Sequence, residues 1–246
     1  MDLLTLIFIF TLGLCIGSFL NVLIYRLPRS LPITGRSFCP KCQKKISWHD
    51  NIPLLSFILL RGRCRHCHSP ISWQYPLVEL ATGIFTIFNF QFSIFNEFSI
   101  FQLLFDLLIV YALIVIFFTD LRYEIIPDQI VYPAILISLI YNFLSYFPFT
   151  EVFWGYLLTG FGAAGFFLFL YFLTRKKGMG LGDVKLAALM GLFLGFPKII
   201  IALYLAFLTG AVIGVILVLI GKKKFGEQIP FGPFLAGATI LSLVLV

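Results

Sequence analysis

Apolar residues run through this chain in long stretches separated by short polar breaks, and the lengths of those stretches limit what they can form. Stretches at 3–25, 76–92, 101–119, 129–147, 152–173, 184–196, 199–220 and 230–246 are predicted helices. A helix needs about 20 mostly apolar residues to cross the roughly 30 Å hydrocarbon core of a bilayer. Within lipid every backbone polar group must be satisfied inside its own segment, which favours helices over open sheet. About eight transmembrane helices are therefore expected, an all-α polytopic membrane protein. The stretch at 184–196 is the shortest, and Gly191, Gly195 and Pro197 interrupt it, so it could be a tilted or half-buried helix instead of a full crossing.

One segment departs from this pattern. Between Arg26 and Gln74 the chain is basic, rich in Cys, His and Pro, and broken by turn residues. The predicted organisation is a first transmembrane span at 1–26, a small polar subdomain inserted at 27–74, and a transmembrane core at 75–246. The first apolar stretch begins Met-Asp without a basic leader and its cations follow it, at Arg26 and Arg29, so it reads as a span and not as a cleaved signal peptide.

Composition agrees with lipid as the solvent. Of 246 residues, 60% are hydrophobic and 12% charged, with a mean hydropathy of +1.02. A soluble domain is nearer half apolar and a quarter charged. Orientation follows from the cations, which are retained on the cytoplasmic side during insertion. With the N-terminus outside, the cytoplasmic loops hold nine Lys and Arg in 26–74, Arg122, the four at Arg175, Lys176, Lys177 and Lys185, and the three at Lys222–Lys224. Only Lys198 falls outside, where Glu97 and Glu151 also lie. The net charge of +7 thus reflects topology and anionic lipid. Its cations are spread over four loops, so no nucleic-acid partner is expected.

Chemistry begins in the inserted subdomain. Cys39-Pro-Lys-Cys42 and Cys64-Arg-His-Cys67 are two C-x-x-C knuckles with 21 residues between them, close to zinc-ribbon spacing. A redox dithiol or inert cysteines are the competing readings. Cytoplasmic placement disfavours structural disulfides, and so small a subdomain needs a staple. Four thiolates suit tetrahedral Zn2+ and leave no open position for water, so the expected ion is structural. His49, His66 and His68 are spare donors, with turn packing expected for His66; Cys15 reads as a small packing residue within the first span.

Two aspartates sit at predicted membrane boundaries on the same side: Asp120, ending the third span, and Asp183, opening the sixth. A carboxylate at or near lipid depth is costly unless paired or used. Two carboxyls brought close share a proton, so that one acts as base toward water while the other polarises a carbonyl. Helix capping is the competing reading for Asp183, and a place in the first turn of the fourth span for Asp128. Asp106 and Glu79 read as buried hydrogen-bonding or packing residues. Glycines at 178, 180 and 182 would let an extended peptide approach beside Asp183; they lack the lysine and hydroxyl of a phosphate loop.

Taken together, these elements resemble the bacterial type IV prepilin peptidases, membrane aspartic proteases with a Gly-x-Gly-Asp signature. The resemblance spans the chain: Gly17-Ser-Phe-Leu-Asn-Val-Leu-Ile-Tyr-Arg-Leu-Pro28, the two knuckles, Tyr-Pro-Leu-Val-Glu79, the stretch from Asp120 to Ile-Pro-Asp128, and Gly180-Leu-Gly-Asp-Val-Lys-Leu186. It implies removal of the basic leader from prepilins and pseudopilins at the inner face of the bacterial cytoplasmic membrane, after a glycine and before a phenylalanine, with Asp120 and Asp183 catalytic. It implies Cys39, Cys42, Cys64 and Cys67 as zinc ligands, and methylation of the new N-terminus with S-adenosylmethionine as donor. No glycine-rich dinucleotide fingerprint places that donor; the cytoplasmic placement of 26–74 and its absence from simpler Gly-x-Gly-Asp peptidases of the resembling family suggest that the zinc subdomain and adjoining span ends help form its site. The alternative is a zinc-stapled scaffold or an ion or proton transporter using the same aspartates.

Overall fold

The computed structural model describes residues 2–95, 99–148, 150–174, 178–224, 227 and 229–245. Glu97 and the Arg175–Lys177 cations lie outside the described residues. The chain is helical: α1 Leu3–Arg26, α2 Leu55–Leu59, α3 Gln74–Phe95, α4 Ile100–Tyr123, α5 Asp128–Ser145, α6 Glu151–Leu173, α7 Leu181–Leu194, α8 Lys198–Leu219 and α9 Gly232–Leu245. Among the described residues the only β pairing is two isolated bridges, Phe38 with Lys45 and Arg63 with Pro70.

Six of these helices (α1, α3, α4, α5, α6 and α8) are long and apolar enough to cross a membrane, as the sequence pattern predicts. The sixth and eighth apolar stretches differ. Helices α7 and α9 have 14 residues each, a length of about 21 Å at 1.5 Å per residue. Nine α7 positions are buried, from Asp183 to Leu194, and α5, α6, α8 and α9 pack around the helix. Hydropathy reports that a helix is apolar and not whether lipid or protein covers it. Hydropathy alone therefore leaves open whether the 184–196 stretch crosses fully or is a half-buried helix, and α7 is the latter. By contrast, only 17% of the most apolar windows of α6 and α8 is buried, leaving broad faces for lipid.

The chain divides into two compact units, Met1–Phe118 and Thr119–Val246. In the first, α1 and α3 meet through glycine. A Cβ at Gly13 would lie 2.8 Å from the Gly83 Cα, and one at Gly17 would lie 2.7 Å from the Glu79 Cα. This close approach follows from the G-x-x-x-G spacing in α1, a pattern that draws helix backbones together where no hydrophobic force acts between them. Cys15 lies between these glycines in sequence but is exposed; it points away from the seam and does not pack as expected.

The polar subdomain is tied to the ends of α1 and α3 by buried charge. Arg26 is 5% exposed, and its guanidinium donates to the carbonyls of Pro32 at 2.8 Å, Ile33 at 3.0 Å, Thr34 at 2.7 Å and Arg36 at 3.1 Å. Backbone dipoles replace the water this cation has lost. Buried Glu79 accepts the Leu54 N–H at 2.9 Å, and the Asn21 amide donates to the Tyr75 carbonyl at 3.0 Å.

In the second unit the tightest seam joins α6 and α7. A Cβ at Gly191 would lie 2.6 Å from the Thr159 carbonyl oxygen and 2.7 Å from the Gly160 Cα. The Asn142 side chain in α5 donates to the Leu192 carbonyl at 2.9 Å, near the C-terminal end of α7. Gly195 then closes that helix at φ 66 and ψ −179, a backbone region open essentially to glycine.

Backbone cannot step aside as a side chain can, so Gly191→Ala should destabilise the protein by about 1–3 kcal/mol. Gly162→Ala, on the facing helix α6 but with nothing within 4 Å of the added carbon, should be neutral or slightly stabilising. Equilibrium unfolding of both variants in bicelles checks this; equal effects would contradict the packing described.

Candidate active site and metal centre

Asp120 lies in the last turn of α4 and is 5% exposed. Its Oδ2 accepts the backbone N–H of Gly232, at the start of α9, at 2.9 Å. The helix ends three residues later, where Glu124 at φ 55 donates its N–H back to the Asp120 carbonyl at 2.9 Å.

Asp183 is 8% exposed and stands in the first turn of α7. The helix begins at Leu181, with Gly180 as the N-cap, so Asp183 does not occupy the capping position itself. It is the third residue of a capping box: its N–H donates to the Gly180 carbonyl at 3.2 Å, and its Oδ2 accepts the Gly180 N–H at 3.0 Å. An acid in this place also suits the positive end of the helix dipole.

The loop that leaves Asp120 meets the start of α7, where Ile126 fills the space beside Gly182, the residue before Asp183. Among the described residues, neither aspartate forms an ion pair with a Lys or Arg. Two acids so placed resist simultaneous ionisation.

The glycines before Asp183 differ among themselves. A Cβ at Gly182 would stand 3.1 Å from the Ile126 Cβ, and one at Gly178 would stand 2.9 Å from the Thr174 Cγ2. Their missing side chains make room for packing, not for an approaching peptide. Only Gly180 is open, with the Asp183 Oδ2 nearest at 3.6 Å.

Asp128 is the first residue of α5, as its place after Pro127 suggested. It also accepts a hydrogen bond from Lys185 Nζ at 2.7 Å, and that ammonium lies 5.0 Å from the Tyr132 ring centroid. This link between the starts of α5 and α7 escaped sequence reasoning, because its partners are 57 residues apart. Gly232 escaped it too, although a glycine in Pro230-Phe231-Gly232-Pro233 marks a tight helix start. Asp106, half-buried in α4, is apart from this group in sequence and burial.

In the subdomain the two knuckles repeat one local fold. Cys39 and Cys64 accept, at their carbonyls, the N–H groups of Gln43 at 2.9 Å and His68 at 3.0 Å, and both donors are left-handed, at φ 57 and φ 53. Their sulfurs join those of Cys42 and Cys67 in a cluster within 4.8 Å, which could hold a metal ion. None of the three histidines belongs to that cluster. The Cys39 and Cys67 sulfurs are 3.8 Å apart, the edge of a tetrahedron with metal–sulfur bonds of about 2.3 Å. The Ser69 hydroxyl, 3.2 Å from the Cys67 sulfur, helps to hold that thiol's pKa down to about 6, while the neighbouring sulfurs push Cys42 up to about 11. Arg65 clamps Asp50 with two bonds, of 2.8 and 2.6 Å, bracing the helical turn Trp48–Asn51 against the second knuckle.

Comparison with known proteins agrees with both halves. Residues 11–92 match the bacterial peptidase A24 N-terminal domain, and residues 107–215 match the type IV leader peptidase family. A prepilin leader peptidase/N-methyltransferase of Legionella pneumophila is 36% identical over 94% of this chain and 88% of its own length. The enzyme of the same name from Aeromonas hydrophila is 37% identical over 96% and 89%. The chain belongs to the type IV leader peptidase family. The enzyme from Stutzerimonas stutzeri, with the same name, is 33% identical over 95% of this chain and 88% of its own. No solved structure matches. This family member is a multi-pass membrane enzyme, and the leader peptidase match contains Asp120 and Asp183, while Gly232 lies beyond it.

Cobalt offered to the metal-free protein should give the charge-transfer absorption of tetrahedral cobalt thiolate, and Cys67→Ser should weaken and shift it. An unchanged spectrum in Cys67→Ser would remove that residue from the centre.

Proposed function

We propose that this chain is an aspartic endopeptidase that removes the basic leader of prepilins or pseudopilins, with Asp120 and Asp183 as its catalytic pair. The observation that carries the reading is two buried carboxyls, at the end of α4 and the start of α7, each bonded to a backbone amide and, among the described residues, neither paired with a cation. Such a pair shares one proton. The ionised member takes a proton from a water as that water attacks the scissile carbonyl, while the protonated member donates to the carbonyl oxygen. Collapse of the tetrahedral intermediate returns a proton to the leaving amine. Nothing covalent forms between enzyme and substrate.

The charge distribution supports a cytoplasmic active site with the N-terminus outside, in the bacterial inner membrane. A substrate with a basic leader and an apolar helical body would then place its leader in the cytoplasm and its body in lipid, with the scissile bond at their boundary. The relatives' names support a second activity, methylation of the new N-terminal amine with S-adenosylmethionine as donor. Cys39, Cys42, Cys64 and Cys67 would hold Zn2+ as a structural crosslink, since four thiolates leave it no open coordination position. That ion supplies rigidity to 27–74 and takes no part in hydrolysis.

Mass spectrometry of a prepilin incubated with the purified protein, with and without S-adenosylmethionine, tests both activities. Asp120→Asn and Asp183→Asn should each lower leader removal by at least about a thousandfold while leaving the protein folded and inserted. Wild-type cleavage by either variant would refute the pair and place the hydrolysis on other residues.

A further inference from the structure

The two aspartates receive their amides by different routes. Asp183 is served by Gly180, three residues away in the same helical turn, so the bond forms whenever α7 forms. Asp120 is served by Gly232, 112 residues away. Its orientation therefore depends on where α9 begins.

The start of α9 is built to hold one N–H at that spot. Gly232 is the first residue of the helix, where backbone donors have no partner within the helix. Pro230 and Pro233 flank it and carry no N–H of their own, leaving Phe231 and Gly232 as the only amide donors of that stretch. The Phe231 ring packs 5.1 Å from Phe207 of α8 and 6.4 Å from Phe167 of α6, fixing the turn against two long helices. A Cβ on residue 232 would lie 2.6 Å from the Asp120 Oδ2 and 3.0 Å from its Cγ, so any side chain there would displace the carboxyl.

We propose that the Gly232 amide is a positioning group for the leader peptidase reaction, fixing the Asp120 carboxyl so that its Oδ1 faces the water and the shared proton. This rests on the reading of Asp120 as catalytic. The amide touches no substrate and acts through the carboxyl alone. It holds one oxygen in place in the ground state, so its loss is read in kcat and not in substrate binding.

The test removes the N–H without adding a side chain, at the cost of a weaker Phe231 carbonyl, which accepts the Phe234 and Leu235 N–H groups. Incorporating glycolic acid at position 232 of the full chain turns the amide into an ester and adds no side chain. Prepilin cleavage by this protein should show kcat reduced about tenfold or more, the effect expected for losing a hydrogen bond to a charged group, with KM within about twofold of wild type. Gly232→Ala should lower kcat further by pushing the carboxyl aside. Gly214→Ala, on neighbouring α8 with only the Ile229 Cδ1 at 3.5 Å, should leave both constants unchanged. All rates are normalised to the folded fraction from thermal melts in detergent. Wild-type kcat in the ester protein, alongside an inactive Asp120→Asn, would overturn the inference and leave the aspartate pair standing. An active Asp120→Asn would overturn both. A parallel rise in KM and fall in kcat in the ester protein would assign Gly232 to substrate binding and overturn the positioning role.

Discussion

A carboxyl group taken out of water is unstable unless something replaces the solvent, and in this membrane enzyme the replacement at Asp120 and Asp183 is backbone. Each aspartate accepts one main-chain N–H, and among the described residues neither is paired with a cation. A lysine or arginine at bonding distance would hold the pair fully ionised and end its use as an acid and base. Amide donors orient the carboxyls while leaving their protons free to move. The second unit follows from this constraint: α7 is wrapped by protein so that its first turn can be buried, and α9 begins where its first N–H can meet Asp120.

Glycine supplies the precision. Gly191 against Gly160 sets the distance between α7 and α6, Gly182 admits Ile126, and Gly232 leaves room for the carboxyl it holds. In the first unit Gly13, Gly17 and Gly83 do the same for α1 and α3. Helices in lipid gain little from burying leucine against leucine, so close backbone contact must take over. Buried charge does corresponding work in the subdomain, where Arg26 gathers the carbonyls of 32–36 and Glu79 captures the Leu54 amide.

Much of this was legible in the sequence, for identifiable reasons. Long apolar stretches predict helices because lipid permits little else, and six of the eight expected spans are long and apolar enough to cross. The four cysteines could be grouped because C-x-x-C fixes two sulfurs locally and the subdomain is too small to scatter them. The shortness of α7 was legible, in a stretch broken by Gly191, Gly195 and Pro197, but that of α9 was not, since hydropathy is the same for a helix facing lipid and one facing protein. The Asp128–Lys185 pair and the Asp120–Gly232 bond are tertiary contacts between residues 57 and 112 positions apart, with no periodicity to announce them. The glycines of the Gly-x-Gly-Asp stretch were visible as residues, but whether each gap was open or filled depended on Ile126 and Thr174.

The central claim is that the end of α4 and the start of α7 present their acids to one another. Mild oxidation of a chain carrying Asp120→Cys and Asp183→Cys in a Cys15→Ala background, followed by peptide mass spectrometry, tests it directly. The account predicts an intramolecular link between the peptides containing positions 120 and 183. Ready alkylation of both introduced thiols by a small water-soluble reagent, with no such link formed, would contradict it.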